Sequence, residues 1–444
     1  MGKKLVIVAA LVALMAAPAF AAVQNVKVGG ALTTTSILDT NVVSGGTSSD
    51  QRGSDILAQT QLDVSADLTD MVSTKIGLLN ERLWGNTSDS ESGTSIDLET
   101  AYVTMKEFLY SPLTLTVGRQ PLSYGNELII GSNTFSSTLP SVYQDLSKKG
   151  NFDAVKAVLG YDALTVDLFA ARLDTNDTYI AAGGNADNIN LYGVNTNFKL
   201  GDKMGSVVEA YVFAKIDDTI RDYNNSSAAD DVKSQYTYVP GLRVSMNPIE
   251  GMSLQLEGAY QTGRVNNGTQ QQVRDAYAFQ AKSSLALKVL TEYSPVVSAE
   301  YKWLSGNMDR RATETGLTNE KIGRNWDPMF ENQDKGRIFN ALALANSNAQ
   351  VAKLGLEATP MQDVTAALSW YGIWAAAKAQ YIDGSVNSSM YKGSEVALDV
   401  AYAYTEDVKI GVSADYFLTG KKYLAPSGSN KNASQILSSV SVAF

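Results

Sequence analysis

The chain is predicted to be all-β: a transmembrane antiparallel up-and-down β-barrel of eighteen strands, with short periplasmic turns and long extracellular loops. Three features carry this expectation. From Ala433 to Phe444, Ile436, Val440, Val442 and Phe444 alternate with Leu437, Ser439, Ser441 and Ala443, an amphipathic strand closing on an aromatic residue. At the other end, Lys3 and Lys4 precede an unbroken apolar run from Leu5 to Met15 and then Ala19-Phe20-Ala21. This is the pattern of a secretory signal peptide over 1–21, cleaved before Ala22, and its apolar run is too short to span a bilayer as a helix. Between the two ends, segments of period-two alternation are joined by connections that are short and long in strict turn.

The segments follow in order. Val23 to Thr34 ends at the polar loop Ser36 to Ser54. Asp55 to Asp67 and Val72 to Leu83 share a tight turn at Leu68 to Met71 and lead into loop Trp84 to Ser95. Ile96 to Phe108 turns at Leu109 to Pro112 into Leu113 to Arg119, after which comes the long loop Gln120 to Gly150. Asn151 to Tyr161 and Leu164 to Leu173 flank Asp162 and Ala163, ahead of loop Asp174 to Ile189. Asn190 to Leu200 and Ser206 to Ala214 share Gly201 to Gly205, then loop Lys215 to Gln235. Tyr236 to Met246 and Met252 to Thr262 share Asn247 to Gly251, then loop Gly263 to Asp275. Ala276 to Val289 and Val296 to Leu304 share Leu290 to Pro295, ahead of the longest loop, Ser305 to Ala349. Gln350 to Ala358 and Val364 to Tyr371 share Thr359 to Asp363, then loop Gly372 to Gly393. Ser394 to Tyr404 and Val408 to Phe417 share Thr405 to Asp407, and loop Leu418 to Asn432 leads to Ala433 to Phe444. Turns on one side and long loops on the other are the layout of an outer-membrane barrel, and an even strand count leaves both termini in the periplasm. No Pro- or Ser-rich linker divides the chain, so 22–444 is predicted to be one barrel domain.

Several strands assign their faces. Leu254, Leu256 and Tyr260 oppose Gln255, Glu257 and Gln261; Val297, Ala299, Tyr301 and Trp303 oppose Ser298, Glu300 and Lys302. Val396, Leu398, Val400, Tyr402 and Tyr404 oppose Glu395, Ala397 and Asp399, and Val408, Ile410, Val412 and Ala414 oppose Lys409, Gly411, Ser413 and Asp415. The apolar faces are expected to meet lipid, because the polar faces cannot. Tyr161, Tyr192, Phe198, Tyr260, Trp303, Trp370 and Tyr404 suit the interfacial aromatic girdles.

Composition removes whole classes of chemistry. Cys and His are both absent from the 444 residues. The chain therefore has no thiolate nucleophile, disulfide, Cys-ligated metal or attached c-type haem, and no histidine general base for a hydrolytic triad. No enzyme activity, cofactor or metal is expected; Asp327, Glu331 and Asp334 lack EF-hand spacing. Removal of Lys3 and Lys4 with the leader leaves 34 bases against 46 acids, a net charge of −12 that disfavours nucleic acid as a partner. Mean hydropathy is −0.11, the averaged polarity of strands that are half wet and half in lipid.

From Gly118 to Gly131 the chain reads GRQPLSYGNELIIG, and from Phe152 to Leu173 FDAVKAVLGYDALTVDLFAARL. Together with LNERLWG over Leu79 to Gly85, these segments resemble the alginate-export family of outer-membrane proteins. The resemblance covers about a quarter of the chain and implies a porin-like barrel of eighteen strands with a pore role. A polyuronate exporter would be expected to line its path with an excess of Arg and Lys. Here the provisional lumen-facing bases are Lys156, Lys199, Arg243, Lys282, Lys302, Lys353 and Lys409, against Asp63, Asp167, Glu209, Glu257, Glu300, Glu357, Glu395, Asp399 and Asp415. Arg119 matches the family's Gly-Arg-Gln. Alternation puts it with Leu113, Leu115 and Val117 on the lipid face, where it would snorkel or stand above the hydrocarbon in the headgroups, whereas a bulge at Gly118 would turn it inward, and it is counted here among the pore-lining candidates.

Two long loops stand out, and the first is long enough to fold into the barrel and narrow it. Gln120 to Gly150 carries Leu128, Ile129 and Ile130, which favour burial in the lumen or against a neighbouring loop. Ser305 to Ala349 carries Arg310, Arg311 and Arg324, and then an apolar stretch from Ile338 to Ala345 that suits either a short helix or an extension of the next strand. The leading expectation is a channel in the bacterial outer membrane for passive passage or export of hydrophilic solutes or polysaccharide, inserted by the barrel-assembly machinery through Phe444. The alternative is a barrel anchored in outer-membrane lipid whose loops or lumen bind a partner protein, a surface polymer or an electron-carrier complex.

Overall fold

A computed structural model of the chain describes residues 24–42, 52–84, 96–131, 139, 141–173, 189–217, 235–266, 271–306, 322–342, 347–378, 389–420 and 431–444. The predicted signal peptide lies outside them. Eighteen antiparallel strands close into a barrel: β1 Gln24–Thr40, β2 Arg52–Thr69, β3 Val72–Leu83, β4 Asp97–Met105, β5 Leu113–Pro121, β6 Asn151–Gly160, β7 Leu164–Leu173, β8 Ile189–Lys199 and β9 Val207–Asp217. The circuit continues with β10 Gln235–Met246, β11 Met252–Asn266, β12 Gln271–Ala286, β13 Val296–Leu304, β14 Ala349–Met361, β15 Val364–Trp374, β16 Tyr391–Ala403, β17 Val408–Thr419 and β18 Ala433–Ala443. Each strand pairs with its neighbours in sequence, and β1 pairs with both β2 and β18, so no edge remains in the hydrocarbon. A two-residue parallel strand, Ile322–Gly323, adds to Val273 and Arg274 of β12 at the loop side.

The predicted strands are all present. Most of the growth is toward the long loops: β1 extends to Thr40, β9 to Asp217 and β11 to Asn266, and β12 begins at Gln271, while β2 gains two residues and β14 three at the turn side, ending at Thr69 and Met361. The loop-side extensions pair regularly, as in Asp39 opposite Gly53 and Asp217 opposite Gln235, but their side chains stand where neither face is dry, so the apolar alternation that marks a strand fades.

Cross-strand register fixes the faces. Leu32, Leu62, Val117, Val155, Leu168, Val194, Leu356, Leu368, Leu398 and Val440 stand outward and exposed. Their sequence neighbours point inward. A slip of one residue in any pair would exchange the two faces along the whole strand. Leu368 and Ser369, adjacent on β15, test this directly. Leu368→Arg is expected to cost about 2–4 kcal/mol, as for a base facing lipid near the midplane, while Ser369→Arg, which faces an internal cavity, should fold normally. Equal urea midpoints for the two variants would contradict the register.

Candidate functional site

The site is the lumen, built from wall side chains and two loops that dock on them. Of the eleven pore-lining candidates, Lys156, Lys199, Arg243, Glu257, Lys282, Glu300, Lys302, Asp399, Lys409 and Asp415 lie on the inner face. Lys199 and Lys409 stand near the turn-side rim, away from the loops. Arg119 requires a correction, because it projects outward. It sits opposite Ala101 and Asp153, and alternation from Leu113 to Pro121 continues without a register shift. Its Nε and Nη2 donate to the Asp153 carboxylate at 2.8 Å each, and Nη1 donates to the Leu98 carbonyl at 3.1 Å. Gly118 has φ +123°, and a Cβ there would stand 2.1 Å from the Ala101 carbonyl oxygen, so the glycine permits close strand approach without turning Arg119 inward.

The described parts of the first long loop, 120–131, 139 and 141–150, fold into the barrel. Leu122, Leu128, Ile129 and Ile130 are buried against inner-face Phe152, Phe169, Phe213 and Val239. The tip is the Tyr124-Gly125-Asn126 turn. The Gly125 N–H donates to Glu209 Oε1 at 3.0 Å and the Asn126 N–H to Glu257 Oε2 at 3.0 Å. Arg243 holds this arrangement together: its Nε donates to Asn126 Oδ1 at 2.8 Å and its Nη1 to Glu209 Oε2 at 3.1 Å. Tyr211 donates its hydroxyl proton to Glu257 Oε1 at 2.8 Å. Further on, the 3₁₀ turn Ser141–Leu146 places the Tyr143 hydroxyl against Asp39 and Asp55, and the loop returns to the wall through Glu81 and Glu99, which accept the Lys148 and Gly150 N–H groups at 2.7 Å each.

The second loop, over its described residues 322–342 and 347–348, also enters the lumen and couples to the first. The Phe330 N–H donates to the Ile129 carbonyl at 3.0 Å and the Gly131 N–H to the Phe330 carbonyl at 2.8 Å. Gln333 then bridges loop and wall, donating to the Asn126 carbonyl at 2.5 Å and accepting from Lys302 Nζ at 2.9 Å. Of the two conformations open to the apolar stretch, the chain takes the helix, α1, Arg337–Ala341. Ile338, Phe339, Ala341 and Leu342 bury against inner-face Val351, Tyr371, Ile373 and Phe417. Glu395 on β16 satisfies the first turn of α1 by accepting the N–H groups of Ile338 at 3.1 Å and Phe339 at 2.9 Å.

The carboxylates that the sequence offered to a metal each face a base. Asp327 meets Lys215 at 2.8 Å and Arg274 at 3.8 Å, Glu331 meets Lys335, and Asp334 meets Lys353 at 2.5 Å. Burial alone would raise the Asp327 carboxyl, but Lys215 and Arg274 outweigh it and hold it below the ordinary carboxylate range. Among the described residues no group of three metal-ligating side chains occurs. Arg310 and Arg311 lie outside the described residues. Lys215, Arg274 and Asp39, all inner-facing, were missed in the sequence because they sit on the strand extensions, and inner-facing Glu81, opposite Gln59, lies on a strand whose faces the sequence pattern did not assign.

Beside the docked loops remains a cavity of about 610 Å³, bounded by 328–341, Asp145 and the inner faces of β13 to β17. Six carboxyl side chains and three bases line it. Arg337 spans two of the acids, reaching Asp415 at 2.6 Å and Asp399 at 3.3 Å. Lys353 and Lys335 are the other bases, each on a carboxylate of the same loop.

Comparison with known proteins places this arrangement. A profile of the alginate-export family matches residues 43–435. No curated protein matches the chain significantly. Among solved structures, Pseudomonas aeruginosa OpdO is similar with a TM-score of 0.58 at 12% identity, covering 95% of this chain and 98% of that one. The Pseudomonas aeruginosa OpdK complex with vanillate is similar with a TM-score of 0.57 at 9% identity, covering 95% and 99%. Pseudomonas aeruginosa OccK2 (OpdF) in complex with glucuronate gives 0.55 at 11%, covering 94% and 98%.

Proposed function

The chain belongs to the alginate-export family, a non-enzymatic outer-membrane channel barrel, and from that premise we propose that it passes small hydrophilic solutes, neutral or cationic, rather than an anionic polymer. The observation that carries this reading is the charge of the constricted passage. Its cavity has six carboxyl groups against three bases, and the three bases already neutralise carboxylates beside them. An anionic chain would need a run of bases to hold it weakly and repeatedly. Two inward loops tied to each other and to the wall also narrow the path, which suits a solute of a few heavy-atom rings better than a polymer in transit. The vanillate and glucuronate in the two similar structures are of that size, although at such low identity those structures share only the fold with this chain.

Liposome swelling tests the reading. Neutral sugars and amino acids should enter at rates that fall steeply with size, lysine should enter faster than glutamate, and oligouronates should not enter. Entry of oligouronates at rates matching a neutral disaccharide would overturn it.

Asp145 adds a pH dependence. It lines the cavity and stays open to the cavity's water, while the lumen wall around it and nearby Asp415 push its carboxyl up to about 6 despite Arg337. Solvent screening at this exposed side chain keeps its share of folding stability small, and its effect falls on the charge of the passage. Ionisation as pH rises through about 6 adds a negative charge to the passage. Cation preference should therefore increase from pH 5 to pH 7, and Asp145→Asn should flatten that increase; an unchanged slope in the variant would assign the titration elsewhere.

A further inference from the structure

The outward face of the barrel carries few charges, and their identity and placement are not random. Among the described strand residues, the outward bases are Arg52, Arg82, Arg119, Arg172 and Arg264, and the outward acids are Asp153 and Asp275. All seven stand within the first or last five residues of a strand, at the end that meets a long loop. No lysine joins them, although the chain has 24 lysines and 12 arginines. Below them the same faces are apolar: Leu164, Val166, Leu168 and Ala170 precede Arg172, and Leu113, Leu115 and Val117 precede Arg119. Along a strand tilted by about 40°, the eight-residue step from Leu164 to Arg172 climbs about 20 Å, which puts the Arg172 guanidinium at the upper edge of an apolar band about 25 Å tall.

The densest part of this ring is built, not scattered. Ala101, Arg119, Asp153, Arg172 and Asn190 stand directly opposite one another on β4 to β8. Asp153 lies between the two arginines and clamps Arg119 through two parallel bonds of 2.8 Å. An arginine needed only for reaching water from the edge of lipid would be as well served by lysine, which snorkels equally. The planar fork of arginine differs from lysine in binding phosphate and carboxylate through two bonds at once. One carboxylate between two guanidinium groups about 10 Å apart leaves a net positive charge facing the headgroup layer.

We propose that this outward arginine ring, centred on Arg119 and Arg172, docks the phosphorylated headgroup of an outer-leaflet glycolipid. The leaflet at the long-loop side of an outer-membrane barrel supplies such headgroups at the height where the arginines stand, and the apolar face beneath them supports the acyl chains. Asp153 and the Leu98 carbonyl hold the Arg119 guanidinium in a fixed orientation, and Arg172, on the other side of Asp153, presents the fork that seats the phosphate.

The test uses the full chain folded in neutral detergent, with its heat-modifiable unfolding temperature as the readout. Lipid A bearing both phosphates should raise that temperature by several degrees through ligand linkage. The dephosphorylated lipid, or inorganic phosphate at the same phosphate concentration, should not. Arg172→Gln, which leaves the Arg119 to Asp153 pair intact, should lose most of the shift, and Arg172→Lys should recover only part of it. Lys203→Gln, in the turn at the opposite rim, should keep the whole shift. An equal shift in wild type and Arg172→Gln, or an equal shift with dephosphorylated lipid or free phosphate, would overturn the proposal.

Discussion

Deletion of Val442 to Phe444 is expected to abolish assembly of the barrel. The Phe444 N–H donates to the Gly30 carbonyl at 3.0 Å and the Gly30 N–H donates back to Phe444 at 2.9 Å, while Val442 lies opposite Leu32 on one side and Val408 on the other. The aromatic ring packs so closely on Gly30 that a Cβ there would stand 2.8 Å from its Cζ. Removing three residues leaves backbone groups of both β1 and β17 without partners at the edge of the hydrocarbon, at a cost of several kcal/mol for each unsatisfied group. We further propose that this strand is what the barrel-insertion machinery reads. Outer-membrane yield and heat-modifiable migration are the measurements. Phe444→Ala, which keeps the ladder, should lower yield less than the deletion, and a deletion variant that assembles at the normal level would contradict the seam.

Gly125→Val is expected to release the constriction loop and raise single-channel conductance severalfold. Gly125 has φ +61°, and a Cβ there would stand 3.0 Å from the Glu257 carboxylate that receives the neighbouring Asn126 N–H. Valine at a left-handed position costs roughly 1–3 kcal/mol of backbone strain before any collision is counted. The loop tip has few ways to relax, because Glu209, Glu257 and Arg243 hold it from three wall strands. Glu257→Ala should act in the same direction, since it strands the Tyr211 hydroxyl as well as the Asn126 N–H. Conductance unchanged in both variants would mean that the loop does not set the narrowest point.

Alternation within the membrane is forced by lipid on one side and water or polar side chains on the other, which is why the strands and nearly all inward candidates were legible in the sequence. Arg119 shows the limit. Its outward position followed from strict alternation, but a glycine beside a family motif also suggested a bulge, and only the pairing with Ala101 and Asp153 separates the two. The docking of Tyr124-Gly125-Asn126 was not legible, because it joins residues more than eighty positions apart through backbone N–H groups that have no signature in side-chain pattern. Leu128 to Ile130 did signal burial, since three apolar residues in a loop need cover, although their partners Phe152, Phe213 and Phe330 come from separate parts of the chain. The outward arginines were present in the sequence too, but each appears there as an isolated strand-end base, and only the cross-strand register brings Arg119 and Arg172 to either side of Asp153.

The reversal potential of single channels across a salt gradient tests the proposed transport reading most directly. At pH 7 and low ionic strength, the acidic excess around the cavity should give a cation-selective potential. That preference should fade as the Debye length contracts from about 30 Å at 0.01 M to about 3 Å at 1 M. Asp399→Asn/Asp415→Asn, which leaves Arg337 without its two carboxylates, should move the potential toward anion preference. A strongly anion-selective wild-type channel would contradict the reading and return a polyuronate to consideration as the transported species.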